Sequence, residues 1–162
     1  MSEDGRRARR AAGRAVAAVL VGAHIESVSI DDGITIATEA DDASIKRSDA
    51  DILAEIFFVL TGVAAQQAYS FGFPPGDSIQ LMPRPDDPAG MHDVEVADEL
   101  SLELAEADCP GLAIVWRYAA ELVCQSDIWA AIEAVANALS DRSLDHAEVM
   151  RLCLTASERK EV

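Results

Sequence analysis

Apolar residues recur at helical spacing along most of this chain, and strict apolar–polar alternation is confined to one short segment. That segment, 25–38, alternates on either side of Asp31-Asp32-Gly33, a tripeptide typical of a tight β-hairpin turn. Elsewhere, spacings of three and four residues predict amphipathic helices. The pattern therefore predicts a mainly α fold: a single-domain helical array of five or six helices with one two-stranded β-ribbon.

Turn residues and caps divide the helical part of the chain. Most of the prolines fall between 71 and 90, which predicts a long irregular loop there. Polar residues at 126 and 143 are of the types that cap helices, so we expect helix starts near Ser126 and Ser143. Within a single domain over 1–162, the predicted elements are a first helix over about 6–22, the hairpin over 25–38, the loop over 71–90, and a helical C-terminal half over 93–157.

The charge balance restricts the partners of the chain. It carries 13 Lys and Arg against 29 Asp and Glu, a formal net charge of −16. Nucleic acids and anionic membranes both select cationic surfaces, so neither is expected as a partner. The longest uninterrupted apolar run, 15–23, is far shorter than the roughly 18 residues that a spanning helix needs, and no membrane span is predicted. The three cysteines form no C-x-x-C pair, which favours reduced thiols in a cytoplasmic protein; they are Cys109, Cys124 and Cys153.

Basic residues are concentrated at the start of the chain. The first fourteen residues contain five arginines, which are Arg6, Arg7, Arg9, Arg10 and Arg14. Followed by the apolar run 15–23, they fit a secretory signal. They also fit an amphipathic first helix, which we favour because the acidic Glu3 and Asp4 precede them.

A family resemblance emerges from several segments read in order. The stretch Arg10-Ala11-Ala12-Gly13-Arg14-Ala15-Val16 precedes a strand reading Ile25-Glu26-Ser27-Val28-Ser29-Ile30. Leu60-Thr61-Gly62-Val63-Ala64-Ala65-Gln66-Gln67 and His92-Asp93-Val94-Glu95-Val96-Ala97 follow, and the segment 131–149 closes the series. In this order they resemble the peptidase domain of the FtsH-type ATP-dependent zinc metalloproteases, with its H-E-A-G-H-A-V, L-x-G-G-R-A-A-E-E and N-D-I-E-Q-A segments. The resemblance implies a similar fold, and the lack of a Walker-type sequence implies a stand-alone relative without the ATPase domain.

The residues that carry the family's chemistry are replaced in this chain. In H-E-x-x-H, the two histidines bind one zinc ion and the glutamate activates the metal-bound water. The matching positions here are Arg10, Ala11 and Arg14. An arginine offers no lone pair and an alanine cannot act as a base, so no cofactor is expected. Asp93 alone matches a ligand of the family, its carboxylate.

Asp93 has two interpretations from sequence. It forms an ion pair with Arg10 and Arg14, whose charge then replaces that of the metal, or it caps a helix that begins at Val94, or it does both. A metal site rebuilt from His24, His92 and Asp93 is a further alternative. The candidate binding surface comprises Arg6, Arg10, Arg14, Asp93, Phe71 and Phe73.

The sequence thus predicts a non-catalytic, FtsH-like peptidase domain that acts as a protein-binding or regulatory module, with a protein or peptide partner. One alternative is a metallohydrolase working through Asp93 and a histidine. Another is a structural protein that self-assembles when its basic first helix contacts the acidic body of a second copy.

Overall fold

The computed structural model describes residues 2–36, 48–71, 88–104 and 111–159. In this part of the chain there are six helices and one two-stranded antiparallel sheet. The fold class predicted from the sequence is therefore confirmed. The elements are α1 (Glu3–Leu20), β1 (Ile25–Ser29), β2 (Gly33–Ile36), α2 (Asp49–Phe71), α3 (Pro88–Ser101), α4 (Leu112–Val123), α5 (Ser126–Leu139) and α6 (His146–Glu158).

Helix α1 begins earlier and ends earlier than its periodicity predicts. The hydroxyl of Ser2 accepts a hydrogen bond from the backbone N–H of Gly5 at 3.0 Å, so Ser2 is the N-cap and the helix starts at Glu3 instead of residue 6. It ends at Leu20 because Gly22 takes a positive φ of 79° and turns the chain toward β1. Its buried face consists almost entirely of alanine, which leaves room for a second helix at short range.

The hairpin forms where the alternation predicts it. Gly33 supplies a positive φ of 72° at the end of the turn, and Val28 pairs with Ile34 in an antiparallel register. The buried residues Ile25 and Val28 face the core. The other edge of β1 is bridged by Leu144, which exchanges two backbone hydrogen bonds of 2.9 Å with Val28. Positions 37–38 of the predicted hairpin lie outside the described residues.

Helix α2 is the central element of the fold. It packs against α1, α3 and α4, and most of its side chains between residues 56 and 68 are buried. It is also the one described helix that is long and apolar enough to cross a membrane, with a mean hydropathy of 1.4 over its best window, of which 72% is buried inside the fold. Core helices of folded domains meet the same criterion, so this is weak evidence for a span.

The boundaries predicted for the C-terminal half are shifted. Phe71 still belongs to α2 and α3 begins at Pro88, so both ends of the predicted 71–90 loop are helical. Proline suits the first position of a helix because its missing N–H has no partner there. Helix α5 includes Ser126 as its first residue and is preceded by Gln125.

Helix α6 begins at His146, three residues after the predicted start at Ser143. The side chain of Asp145 accepts a hydrogen bond from the N–H of Glu148, and the side chain of Glu148 accepts one from the N–H of Asp145. This reciprocal capping box fixes the helix start. In this segment Ser143 and Asp145 are both candidate caps. Asp145 forms the cap because Glu148 follows it three residues later.

Candidate functional site

Arg10, Arg14 and Asp93 meet at the junction of α1, α2 and α3. Nη2 of Arg14 lies 2.6 Å from Oδ1 of Asp93, and Nε of Arg10 lies 3.4 Å from Oδ2. All three side chains are largely buried, with exposed fractions of 20%, 15% and 12% for Arg14, Arg10 and Asp93. The ion pair predicted from the sequence is therefore confirmed.

The two arginines reach one carboxylate because they stand four residues apart on α1. That spacing places both side chains on the same face of a helix, one turn apart. Asp93 projects toward them from within α3, which starts at Pro88. The interpretation of Asp93 as a helix N-cap is consequently wrong: residues 88–92 already extend the helix, so its N-terminal turn lies upstream of Asp93.

The two halves of the carboxylate are held differently. Arg14 contacts Oδ1 at hydrogen-bonding distance, whereas Oδ2 is buried without a hydrogen bond to the described residues and lies 3.4 Å from Nε of Arg10. Nε of Arg14 is likewise buried without a hydrogen bond. Attraction between opposite charges therefore contributes more on the Arg10 side than a directional bond does.

Close approach of α1 and α2 brings Gln66 into the cluster. Nη1 of Arg10 donates to Oε1 of Gln66 at 3.1 Å, and Gln66 is fully buried. A Cβ atom on Gly62 would lie 2.8 Å from the backbone oxygen of Arg10 and 2.8 Å from Cγ of Arg14. Gly62 and Gly13 face each other across the interface, where a methyl group on either would collide with the opposite helix.

These contacts were not predicted from the sequence, although a signal for them is present. Gly62 stands in the middle of an otherwise strong helical segment, where glycine costs about 1 kcal/mol relative to alanine. Such a glycine often has a packing reason. Sequence alone did not identify which helix it faces.

A cleft of about 240 Å³ opens beside the ion pair. It lies between the hairpin turn and the first turns of α3, and Arg10, Arg14 and Asp93 form part of its floor. Arg7 stands at its rim and pairs with Asp31 at 3.0 Å. The rest of the lining is Ala11, Ile30, Asp32, Gly33, Ala89 and His92.

The remaining residues of the predicted binding surface do not join this cleft. Phe71 is exposed at the end of α2 and is not part of the cleft lining, and Phe73 lies outside the described residues. Arg6 is half-buried on α1 and is also not among the lining residues. The structure therefore brings together Arg10, Ala11, Arg14 and Asp93 from the set that the sequence singled out.

The histidines are divided between two places. His92 is exposed and lines the cleft next to Asp93, while His24 contacts His146, with ring centroids 4.4 Å apart. In the described part of the chain, no group of three or more histidine, cysteine or acidic residues is arranged to hold a metal ion. The rebuilt metal site thus has no geometric support among these residues.

The cysteines of the described segments lack the features of nucleophiles. Burial raises the pKa of the Cys153 thiol to about 11. Burial, and to a smaller extent the charge of Glu121, also raises the pKa of Cys124. Both thiols therefore stay protonated at neutral pH and are weak nucleophiles. Cys109 lies outside the described residues.

The chain matches no model of a known protein family, and no curated protein is significantly similar to it. The resemblance to FtsH-type peptidase domains therefore remains a prediction from the segments quoted above.

Proposed function

We propose that this chain is a metal-free relative of the FtsH-type peptidase domain and binds a segment of a partner protein without cleaving it. The observation that carries the proposal is the meeting of Arg10, Arg14 and Asp93. These residues stand at the three positions that match the family's zinc ligands, and they come from two different helices. A chance resemblance of short segments gives no reason for them to converge.

The chemistry of the cluster favours binding over hydrolysis. Two guanidinium groups cannot ligate a cation, and their positive charge repels one. Ala11 lines the cleft where the family has its general base. The cleft itself has room for one or two side chains of an extended partner segment beside the hairpin turn.

A reversal of the substitutions tests the positional equivalence. The triple variant Arg10→His, Ala11→Glu, Arg14→His restores the family's zinc motif opposite Asp93. We expect this variant to retain about one zinc ion per chain after gel filtration, measured by plasma mass spectrometry. Adding Asp93→Asn to the triple variant is the matched control and should reduce its zinc affinity.

The unaltered protein should hold far less than one zinc ion per ten chains and should not cleave casein in the presence of zinc. A stoichiometry near one, or zinc-dependent cleavage, would contradict the proposal. A triple variant that folds but binds no zinc would show that Arg10, Ala11 and Arg14 do not occupy the positions of the family's zinc motif.

Binding is tested separately with fluorescein-labelled unfolded casein and fluorescence anisotropy. Ala89 is exposed at the mouth of the cleft, so Ala89→Trp fills it, whereas Ala113→Trp places the same side chain on the exposed face of α4. We expect Ala89→Trp to weaken binding at least about ten-fold and Ala113→Trp to leave it unchanged. Equal behaviour of the two variants would exclude this cleft as the binding site.

A further inference from the structure

His146 and His24 form a contact that lies apart from the cleft. His146 is the first residue of α6, and His24 stands in the turn between α1 and β1. Their rings are tilted by 32° with centroids 4.4 Å apart. Neither residue carries any part of the binding function proposed above.

His146 also accepts a hydrogen bond from the first residue of β1. The backbone N–H of Ile25 donates to Nδ1 of His146 at 3.2 Å. This bond requires a neutral ring with its proton on Nε2. Ile25 is 1% exposed, so water does not readily replace the imidazole as acceptor.

Together with the bridge between Val28 and Leu144, this bond joins two positions of β1 to the first residue of α6 and to the segment just before it. The bridge consists of two backbone hydrogen bonds that do not titrate. The bond from Ile25 to His146 instead ends on an imidazole nitrogen, which is a base. We call this pair of attachments, made by Ile25, Val28, Leu144 and His146, the α6–β1 latch.

Protonation of His146 acts against the latch in two ways. A proton on Nδ1 turns the acceptor into a donor, so two N–H groups then face each other. The cation lies at the positive end of the α6 dipole. It also contacts the ring of His24, whose centroid is 4.4 Å away.

The acidic residues next to His146 in sequence already have hydrogen-bond or ion-pair partners of their own. Asp145 accepts from the N–H of Glu148, and Glu148 accepts from the N–H of Asp145 while pairing with Arg142. The hydrogen bond from Arg142, followed by that from Asp145, lowers the pKa of Glu148, so this carboxylate keeps its partners in mild acid. On β1 the nearest acidic residue in sequence is Glu26, which is exposed, so solvent screens its charge.

We propose that the α6–β1 latch is an acid-sensitive device, closed when His146 is neutral and released at the His146 end when its ring is protonated. The first turn of α6 then loses its attachment to Ile25, while the remainder of α6 stays packed on α5. The proposal does not depend on the function proposed for the cleft.

The experiment compares thermal unfolding at pH 7.5 and pH 5.5, a range in which ordinary carboxylates remain ionised. His146→Asn is the informative variant, since Oδ1 of asparagine occupies the position of Nδ1 and accepts the same bond without titrating. We expect the wild-type Tm to fall by about 2–4 °C more than that of His146→Asn over this range, which corresponds to the loss of one hydrogen bond. The exposed His92 supplies the matched control. The fall in Tm between pH 7.5 and pH 5.5 should be the same for His92→Asn as for wild type.

Amide hydrogen exchange of Ile25 in the wild-type protein provides a second readout that needs no variant. Its exchange should accelerate relative to Val28 when the pH falls from 7.5 to 5.5, after correction for intrinsic rates. Equal losses of Tm in wild type and His146→Asn, or unchanged relative protection of Ile25, would overturn the proposal.

Discussion

At the scale of single residues, the role of Asp93 follows from the two arginines that it contacts. Its carboxylate lies against the guanidinium groups of Arg10 and Arg14 in a largely buried place and offsets part of their charge. Removing one partner of a buried ion pair leaves the other charge desolvated, which costs more than the ion pair itself contributes. Arg10 retains Gln66 as a partner, so the cost falls mainly on Arg14.

We therefore expect Asp93→Ala to lower the free energy of unfolding by about 2–3 kcal/mol in urea denaturation. Asp98→Ala is the matched control, because Asp98 is exposed on the same helix, and should change stability by less than about 0.5 kcal/mol. An Asp93→Ala variant as stable as the control would show that the ion pair contributes nothing to folding.

A second residue-scale prediction concerns the thiol of Cys153. Burial raises the pKa of this thiol from 9.0 to about 11. Alkylation by iodoacetamide proceeds through the thiolate, so Cys153 in the folded protein should react slowly at pH 9 and accelerate toward pH 11. The same residue in urea should titrate near the ordinary value. Because the folded state raises this pKa, the associated stability is present below pH 9 and is lost as the pH rises through about 11. A folded-state profile that matches the urea profile would contradict the burial of this thiol.

At the scale of elements, the approach of α1 to α2 decides whether the site exists. Alanines on α1 and glycines at 13 and 62 keep the interface free of large side chains. The short distance lets Arg10 reach Gln66 on α2 while still contacting Asp93 on α3. The sequence predicted α1 and a mainly helical fold, but helical periodicity gives no distance between helices.

Gly62→Ala should destabilise the protein by about 1–3 kcal/mol, although alanine favours an isolated helix. The added methyl group meets the Arg10 backbone and Cγ of Arg14 at 2.8 Å, so the helices must separate. Gly111→Ala serves as the comparison, because no atom lies within 4 Å of a Cβ there. Urea denaturation of the two variants measures the difference, and a Gly62→Ala variant more stable than wild type would mean that α1 and α2 can separate at little cost.

At the scale of the whole molecule, the basic first helix is neutralised by the chain's own acidic residues. Arg9 forms a bidentate ion pair with Glu133 and stacks over the ring of Tyr69. Arg7 pairs with Asp31. The arginines Arg7, Arg9, Arg10 and Arg14 thus contact acids of α3, α5, the hairpin turn and α1 itself. This arrangement weakens the alternative in which α1 docks on a neighbouring copy.

The mass of the protein in solution should accordingly be independent of salt. Light scattering after gel filtration at 50 mM and 500 mM NaCl should give the same value, because no exposed basic helix is left to be screened. A dimer at low salt that dissociates at high salt would support self-assembly through charge instead.

The sequence by itself predicted the hairpin and the mainly helical fold, and it singled out Arg10, Arg14 and Asp93, which the structure brings together. Alternation around Asp31-Asp32-Gly33 specified the hairpin, and the four-residue spacing of Arg10 and Arg14 placed them on one helix face, because both periodicities are properties of the backbone. The start of α3 at Pro88 could not be read from the sequence, since a proline-rich stretch favours loop and first helical turn alike.

Only the tertiary structure decided which distant groups meet. The contact of Arg10 with Gln66, the ion pair of Arg9 with Glu133 and the bond from Ile25 to His146 join residues 56 to 124 positions apart. Such contacts depend on how helices pack, which is set by the sum of many small side-chain interactions. Local patterns do not contain that sum.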